Sequence, residues 1–199
     1  MGKGNTRLVV SALKWLISNY EKMNIRILNI SVGMLASARR EEQEELLAAI
    51  EAVWDAGIVV VAAAGNNGPK DKSITIPGLC RKIITVGSSD DEDGEVKNLG
   101  LMRGYSGRGP TEACIMKPEV VAPGTAIVSC KRMGNGYEMK SGTSMATPVV
   151  AGAVAVLLSR YSNLKPAEVK LRLYETSVDT GKSKHAQGWG RLDVMQLIR

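Results

Sequence analysis

The chain of 199 residues contains no phenylalanine, and aromatic residues make up only 4% of it. A core built from this sequence must therefore be aliphatic. Histidine is equally scarce, with His185 as the single example, and the cysteines are Cys80, Cys114 and Cys130. The wide spacing of these residues lacks the pattern of a zinc site. An odd number of scattered cysteines indicates buried free thiols, which favours a reducing compartment and a cytoplasmic location.

Two further absences limit the classes of partner. The 26 lysine and arginine residues are interleaved with 20 acidic residues, and no basic run carries aromatic residues that could stack on bases. The net charge of +6 is therefore assigned to a solvated surface, and no nucleic acid partner is predicted. The longest apolar run, 145–158, includes threonine, proline and glycine and is too short to span a bilayer, so no membrane partner is predicted.

Helical and strand-like patterns alternate along the chain. Strands are predicted at 25–33, 58–69 (running into a turn-rich loop), 82–89 and 118–124. Helices are predicted at 9–20, 46–54, 144–160, 166–176 and 192–198, with a hairpin formed by 126–130 and 136–142. The acidic run 88–98 is predicted to be a surface loop. This order indicates one α/β domain, residues 1–199, with a mostly parallel sheet.

The segment SGTSMATPVVAG (141–152) is the first candidate for chemistry. Proline is tolerated in the first turn of a helix, so Pro148 predicts that a helix begins at about Ser144. The free N–H groups and the positive dipole end of that helix would stabilise an oxyanion beside the serine. A serine or threonine is also an ordinary helix cap, and the spacing alone leaves both interpretations open.

Asn66 is the second candidate, because it follows the predicted strand IVVVAAAG (58–65). The carboxyl ends of parallel strands form the binding crevice of an open α/β sheet. An asparagine N–H at that place, together with a helix N-terminus, would make an oxyanion hole with two donors. Asn-Asn-Gly-Pro is also a common turn sequence, so a purely structural role stays open.

Together these motifs resemble those of the subtilisin-like serine proteases (peptidase S8). SGTSMATPVVAG is similar to the nucleophile motif of that family, NISVG to its substrate-binding strand, and VVVAAAGN to its oxyanion-asparagine strand. YSGRGPT, KPEVVAPG and GWGRLDV also match family segments, in the family's order. The resemblance implies a subtilisin-like three-layer α/β fold and an extended peptide or protein as substrate.

The resemblance also implies roles for individual residues. Ser144 would be the nucleophile, and Asn66 would donate to the oxyanion together with the Ser144 backbone N–H. The implied substrate-binding residues are the cleft edge Ser31, Val32 and Gly33, the pocket wall Ala62, Ala63, Ala64 and Gly65, the far side Thr75, Ile76 and Pro77, and the nucleophile loop Gly142 and Thr143. Small side chains in the wall are expected to leave room for a substrate side chain.

No cofactor or metal is predicted. Structural calcium occurs in the full-length family, but Asp90, Asp91, Glu92 and Asp93 lack the spacing of an EF-hand. These four residues are expected to form a solvated turn. A nucleotide-binding Rossmann unit is a weak alternative, because no GxGxxG follows a first strand.

Two segments of the family pattern, those with the triad aspartate and histidine, are not found in this sequence. His185 is expected to be an exposed loop residue away from the cleft. The chain is therefore expected to be the C-terminal part of a catalytic domain, without its first strands and inactive alone. The exposed sheet edge is expected to bind the missing N-terminal segment or a second copy. The alternative is a pseudoprotease or peptide-binding module that holds a peptide without cutting it.

Overall fold

The computed structural model describes residues 6–33, 40–92 and 103–199. The helices are α1 (Thr6–Met23), α2 (Arg40–Asp55), α3 (Thr143–Arg160), α4 (Pro166–Thr176), α5 (Lys184–Gln187) and α6 (Val194–Leu197). The strands are β1 (Ile27–Ile30), β2 (Val59–Ala63), β3 (Ile84–Ser88), β4 (Val120–Ala122), β5 (Ile127–Cys130) and β6 (Tyr137–Lys140). The predicted helices and strands are all present, although the last helix is shorter than expected and α5 was not predicted.

Four strands form a parallel sheet in the order β1-β2-β3-β4, which confirms the predicted α/β class. Every residue of β2 and β3 is buried, which explains their runs of β-branched and small residues without polar alternation. A helix connects β1 to β2, but residues 64–83 link β2 to β3 without one. That long connection matters, because it folds back on the end of β2. The segments β5 and β6 form the predicted hairpin.

Helix α3 packs against all four strands of the sheet. By length and composition it is apolar enough to cross a membrane, yet 44% of its residues are buried within the protein. It begins at Thr143, so Pro148 is its sixth residue. The sequence had placed this proline in the first turn, and the structure places it just beyond that turn. The proline nitrogen carries no hydrogen, so the Ser144 carbonyl oxygen lacks its helical donor.

The β4 edge of the sheet is covered by the C-terminal segment. The Val121 N–H donates to Gly190 O at 3.0 Å, and the Leu192 N–H donates to Val121 O at 2.9 Å. Just before β4, the Lys117 ammonium is fully buried and lies 2.7 Å from the Glu119 carboxylate, which also contacts Lys170. Burial lowers the pKa of Lys117, and the charge of Glu119 opposes that shift. Charged and backbone groups therefore close this side.

The β1 edge is different, because no other strand in the described part of the chain pairs with it. Asn29 in the middle of β1 is exposed. The neighbouring outward face of α3 carries small or apolar residues that are also exposed, namely Pro148, Val149, Gly152, Ala155 and Val156. An unpaired strand edge and an exposed apolar helix face are both surfaces on which polypeptides can pack.

Two expectations about exposure are wrong. Within the acidic run, Asp91 is only 3% exposed and accepts a hydrogen bond from the Ser106 N–H, while Asp90 accepts from the N–H groups of Gly124 and Thr125. The carboxylates of Asp90 and Asp91 therefore accept hydrogen bonds from neighbouring loops and do not form a solvated turn. Asp93 lies outside the described residues. Of the cysteines, Cys80 is buried as expected, but Cys114 and Cys130 are exposed.

Candidate active site

The first turn of α3 is fastened to the end of β2 by Thr143. Its hydroxyl donates to Asn66 Oδ1 at 3.0 Å and accepts from the Gly65 N–H at 3.1 Å. The Thr143 backbone N–H also donates to Asn66 Oδ1, at 3.0 Å. Thr143 is fully buried, and its hydrogen bond from the Gly65 N–H is buried as well, whereas Asn66 is exposed. The threonine therefore fixes the helix start relative to the sheet, which is a role that the sequence did not indicate.

Gly142 precedes this turn with φ near 147°, a backbone conformation that L side chains rarely adopt. A Cβ atom at Gly142 would lie 3.0 Å from Asn66 Nδ2. Its N–H donates to Gly124 O at 2.9 Å, and Gly124 is in turn held by the Asp90 carboxylate. A glycine is therefore required where the hairpin turns into α3.

Ser144 follows Thr143 and is half-buried at the positive end of the helix dipole. Its hydroxyl donates to the Ser31 carbonyl oxygen at 2.7 Å. In that arrangement the hydroxyl donates a hydrogen bond to a backbone carbonyl oxygen, which is too weak a base to remove the proton. Ser144 is thus well positioned but not activated by the contact it makes.

The side-chain amide of Asn66 is oriented by Thr143. Because Oδ1 accepts both hydrogen bonds from Thr143, the Nδ2 group is left free, and it lies next to Gly142. Within residues 6–33, 40–92 and 103–199, Nδ2 has no acceptor at hydrogen-bond distance. An exposed N–H donor beside a helix N-terminus is the arrangement that stabilises a developing negative charge on oxygen.

A pocket of about 230 Å³ opens beside these groups. Its lining combines parts of β2, the 64–83 connection, the segment after β1 and the start of α3, namely Gly33, Ala63, Gly65, Asn66, Asn67, Thr75, Thr143 and Ser144. Asn67 was not among the predicted residues, although it lies in the same turn as Asn66. At one end of the pocket the Thr75 side chain lies close to both Gly33 and Gly65, so a Cβ atom on either glycine would clash with it.

The remaining predicted residues lie near the pocket without lining it. Ser31 contributes its carbonyl oxygen to Ser144, and Val32 is exposed. Ala62, Ala64, Ile76 and Pro77 are buried behind the pocket. Of these, the Ala64 carbonyl oxygen accepts from the Thr75 N–H at 2.9 Å and so holds the far side against β2.

His185 lies elsewhere in the molecule. It belongs to α5, and its Nδ1 atom is 3.0 Å from Asp71 Oδ2, with both side chains about half exposed. Neither residue lines the pocket of Ser144. The one imidazole of the chain is therefore engaged away from the serine, on a short helix and not in the loop that the sequence predicted. Among the residues described, no group of three or more His, Cys, Asp or Glu side chains is placed to hold a metal ion.

Comparison with known proteins gives consistent matches. The family model Peptidase_S8, the subtilase family, matches residues 1–190. The chain is 36% identical to the serine protease AprX of Bacillus subtilis (strain 168), with 95% of this chain and 46% of AprX aligned. It is 33% identical to subtilisin DY of Bacillus licheniformis, with 97% of this chain and 62% of that protein aligned. The chain thus spans between about half and three fifths of the length of these relatives.

Solved structures show the same fold. Sphericase superposes with a TM-score of 0.78 at 26% identity, over 96% of this chain and 65% of that one. The prenylagaramide maturation protease PagA superposes with a TM-score of 0.76 at 24% identity, over all of this chain and 68% of that one. The subtilisin-like α/β fold that the motifs predicted is confirmed by these structures.

Proposed function

Because the chain belongs to the subtilase family, we propose that its cleft serves serine-type endopeptidase chemistry, with Ser144 as the nucleophile. The observation that carries this proposal is the meeting of three groups at one pocket. These are the Ser144 hydroxyl, the N-terminus of α3 and the unpartnered Asn66 Nδ2. An extended peptide would bind along residues 31–33, and attack on its carbonyl carbon would place the oxyanion between Asn66 Nδ2 and the Ser144 N–H.

The missing part of the chemistry is the base. Ser144 must lose its proton during attack, and a hydroxyl without a positioned base is a poor nucleophile at neutral pH. The only imidazole in these 199 residues, that of His185, lies within hydrogen-bond distance of the Asp71 carboxylate. We infer that a histidine and its carboxylate partner are supplied by polypeptide outside residues 1–199, and that the chain alone cleaves peptides poorly.

The surface for that polypeptide is formed by the β1 edge and the outward face of α3. Both lead to the serine, because β1 ends at Ile30 beside Ser31, and α3 begins one residue before Ser144. A segment that adds a strand to β1 and covers Val149 and Val156 would bring its side chains next to the Ser144 hydroxyl. Covering these apolar groups would also contribute favourable burial.

The test compares residues 1–199 with the same chain carried together with any coding sequence that flanks it in its gene. A fluorophosphonate probe is expected to label Ser144 about 100- to 10,000-fold faster in the longer protein, the usual contribution of a general base. Ser144→Ala removes the label in both. Labelling of the longer protein no faster than the short chain would contradict the proposal.

One observation favours a second candidate, a peptide-binding module without cleavage. The Ser144 hydroxyl already donates a hydrogen bond to the Ser31 carbonyl oxygen, so it is engaged in a contact that does not activate it. In that case peptide affinity is unchanged in Ser144→Ala, and the longer protein neither hydrolyses peptides nor reacts with the probe.

A third outcome would be a dimer of residues 1–199. Light scattering that detects such a dimer, and its dissociation by Val156→Glu, would assign the open face to a second copy.

A further inference from the structure

The β5–β6 hairpin presents one apolar face to solvent. Directly opposed residues of an antiparallel pair lie on the same face, and so do residues two apart in one strand. The register of the hairpin therefore places four residues on one face, namely Val128, Cys130, Tyr137 and Met139. Three of them are between 52% and 70% exposed, and Cys130 is exposed as well. A core residue would be covered, so this face is a surface feature.

The turn that joins the two strands, residues 131–136, is called the tip and adds a further apolar side chain and two cations. Met133 is 81% exposed, the highest value of any large apolar side chain among the described residues. Lys131 and Arg132 precede it, are exposed and form no ion pair within the described part of the chain. Glu138 is paired with Lys140 at 2.7 Å, so it does not neutralise these cations. The tip therefore carries excess positive charge beside apolar groups.

The hairpin is held at its base and not along its apolar face. The Ala126 N–H donates to Ser141 Oγ at 2.8 Å, and the Gly142 N–H donates to Gly124 O at 2.9 Å. Beyond its base, the extensive contacts of the hairpin within the described residues are those between its own two strands. A fixed base and an uncovered tip leave the hairpin accessible to a large external surface.

The size of the apolar face favours a lipid surface over a folded protein. Each strand has four residues, so the face is about 14 Å long and, with two strands, about 10 Å wide. This footprint of roughly 140 Å² is far below the ~800 Å² that each partner buries in a stable protein interface. A bilayer instead surrounds an inserted side chain on all sides. The unpaired cations complement anionic headgroups, and the net charge of +6 acts in the same direction.

We propose that the β5–β6 hairpin docks peripherally on membranes that contain anionic lipids. Met133 and the apolar face enter the interfacial layer, where the Tyr137 ring is buried and its hydroxyl stays hydrated. Lys131 and Arg132 contact the lipid phosphates. A peripheral contact needs no membrane-spanning segment, so the exclusion of a spanning segment from the sequence does not oppose it.

The test is cosedimentation of residues 1–199 with sucrose-loaded vesicles. One set of vesicles contains phosphatidylcholine with about 30% phosphatidylglycerol, and the other contains phosphatidylcholine alone. Partitioning is expected to be at least tenfold stronger on the anionic vesicles, because each unpaired cation contributes about fivefold. It should weaken as the salt concentration rises from about 0.05 M to about 0.5 M, since the screening length shortens.

Substitutions at the tip separate the apolar and the electrostatic contributions. Met133→Ser is expected to weaken partitioning at least tenfold, because it removes the side chain that enters the membrane. The double variant Lys131→Gln, Arg132→Gln is expected to weaken it about 25-fold and to remove most of the salt dependence.

Matched controls carry the same changes elsewhere on the surface. Met195→Ser alters an exposed methionine of α6, and the double variant Lys70→Gln, Lys72→Gln removes two exposed lysines from the connection 64–83. Each control is expected to change partitioning by about threefold at most. Thermal unfolding checks that every variant is folded.

Several results would overturn the docking by the hairpin. These are no binding to the anionic vesicles, equal binding to both kinds of vesicle, and equal losses in the tip and control variants. Loss of binding in Val156→Glu but not in Met133→Ser would assign the lipid contact to the outward face of α3. A dimer in light scattering that Met133→Ser dissociates would assign the tip to a second copy. Labelling of Ser144 by the fluorophosphonate probe is measured separately, so the proposed cleavage and the docking can fail independently.

Discussion

The two edges of the parallel sheet are built in opposite ways. At the β4 edge, residues 190 and 192 form backbone hydrogen bonds with Val121, and the Lys117–Glu119 ion pair is buried nearby. The carboxylates of Asp91, which is buried, and Asp90, which is half-buried, hold the adjacent loops. At the β1 edge, Asn29 is exposed, and an apolar face of α3 is open to solvent. The candidate site lies at the end of β2, next to β1, where Asn66, Thr143 and Ser144 line one pocket.

The contrast between the two edges separates the contacts that residues 1–199 make among themselves from the surface that they leave open at the β1 edge. The proposed oxyanion donor Asn66 is oriented by two hydrogen bonds from Thr143, which are contacts within residues 1–199. The proposed acceptor of the Ser144 proton would lie on the β1 side, where the hydroxyl donates to the Ser31 carbonyl oxygen and, among the residues that the structure describes, to no other group. The following predictions either break or sharpen this comparison.

The largest effect is expected from Glu119→Ala on the closed side. Removing this carboxylate leaves the Lys117 ammonium buried without its partner, which typically costs about 3–5 kcal/mol of unfolding free energy. Urea unfolding followed by circular dichroism measures the loss. Asp55→Ala is the matched control, because the Asp55–Lys82 pair is exposed and worth about 0–1 kcal/mol. Equal effects of the two substitutions would break the comparison.

The two faces of α3 give the next contrast. Leu157 is fully buried against the sheet, and Leu157→Ala is expected to cost about 2–5 kcal/mol. Val156, its neighbour in the chain, is 48% exposed, and Val156→Ala should change stability by about 0.5 kcal/mol or less. Thermal and urea unfolding of residues 1–199 check both. A cost above 2 kcal/mol for Val156→Ala would mean that the face is covered in solution by another molecule.

A pair of glycines tests the junction of hairpin and helix. Gly142→Ala forces a side chain into a left-handed backbone and against Asn66 Nδ2, for an expected cost of about 1–3 kcal/mol. Gly152→Ala, in the exposed interior of α3, meets nothing within 4 Å and should stabilise the protein by about 0.5–1 kcal/mol. Chemical denaturation distinguishes the opposite signs. Destabilisation by both would show that α3 is covered along its outer face.

The smallest effect concerns the pH dependence of stability. Burial raises the pKa of the Asp91 carboxyl above its ordinary value of 3.8, so the folded chain binds this proton more tightly than the unfolded chain. Between that ordinary value and the raised pKa, stability therefore increases as the pH falls. In Asp91→Asn this contribution is absent, and the variant should lose stability relative to the parent on acidification towards pH 4. Urea midpoints measured across the range test it; parallel curves would contradict it.

Much of the fold could be predicted because its determinants are local in sequence. Continuous β-branched runs identify β2 and β3, and a long apolar stretch identifies α3. Helix α5 escaped prediction because four residues carry no periodic pattern. The burial of Asp91 could not be read either, since its partners Ser106 and Lys182 are distant in the chain, and a run of acids resembles a solvated loop.

The candidate site shows the same division. Ser144 and Asn66 stand in recognisable motifs, and the structure brings both to one pocket. Thr75 was expected on the far side of the pocket and does line it. Its contact with Ala64 depends on how the connection 64–83 folds back, which joins positions eleven residues apart and could not be predicted from a local pattern. The bridging role of Thr143 could have been suspected from the tendency of threonine to bond at helix starts.

The position of α3 has a consequence for cooperativity. Because one helix contacts all four strands and also begins beside Ser144, we expect the core and the site to unfold as one unit. Hydrogen exchange at the buried Thr143 amide is therefore expected to require the same opening free energy as the core amides of β2 and β3. This prediction excludes a partly folded form in which the first turn of α3 is ordered and the sheet is not.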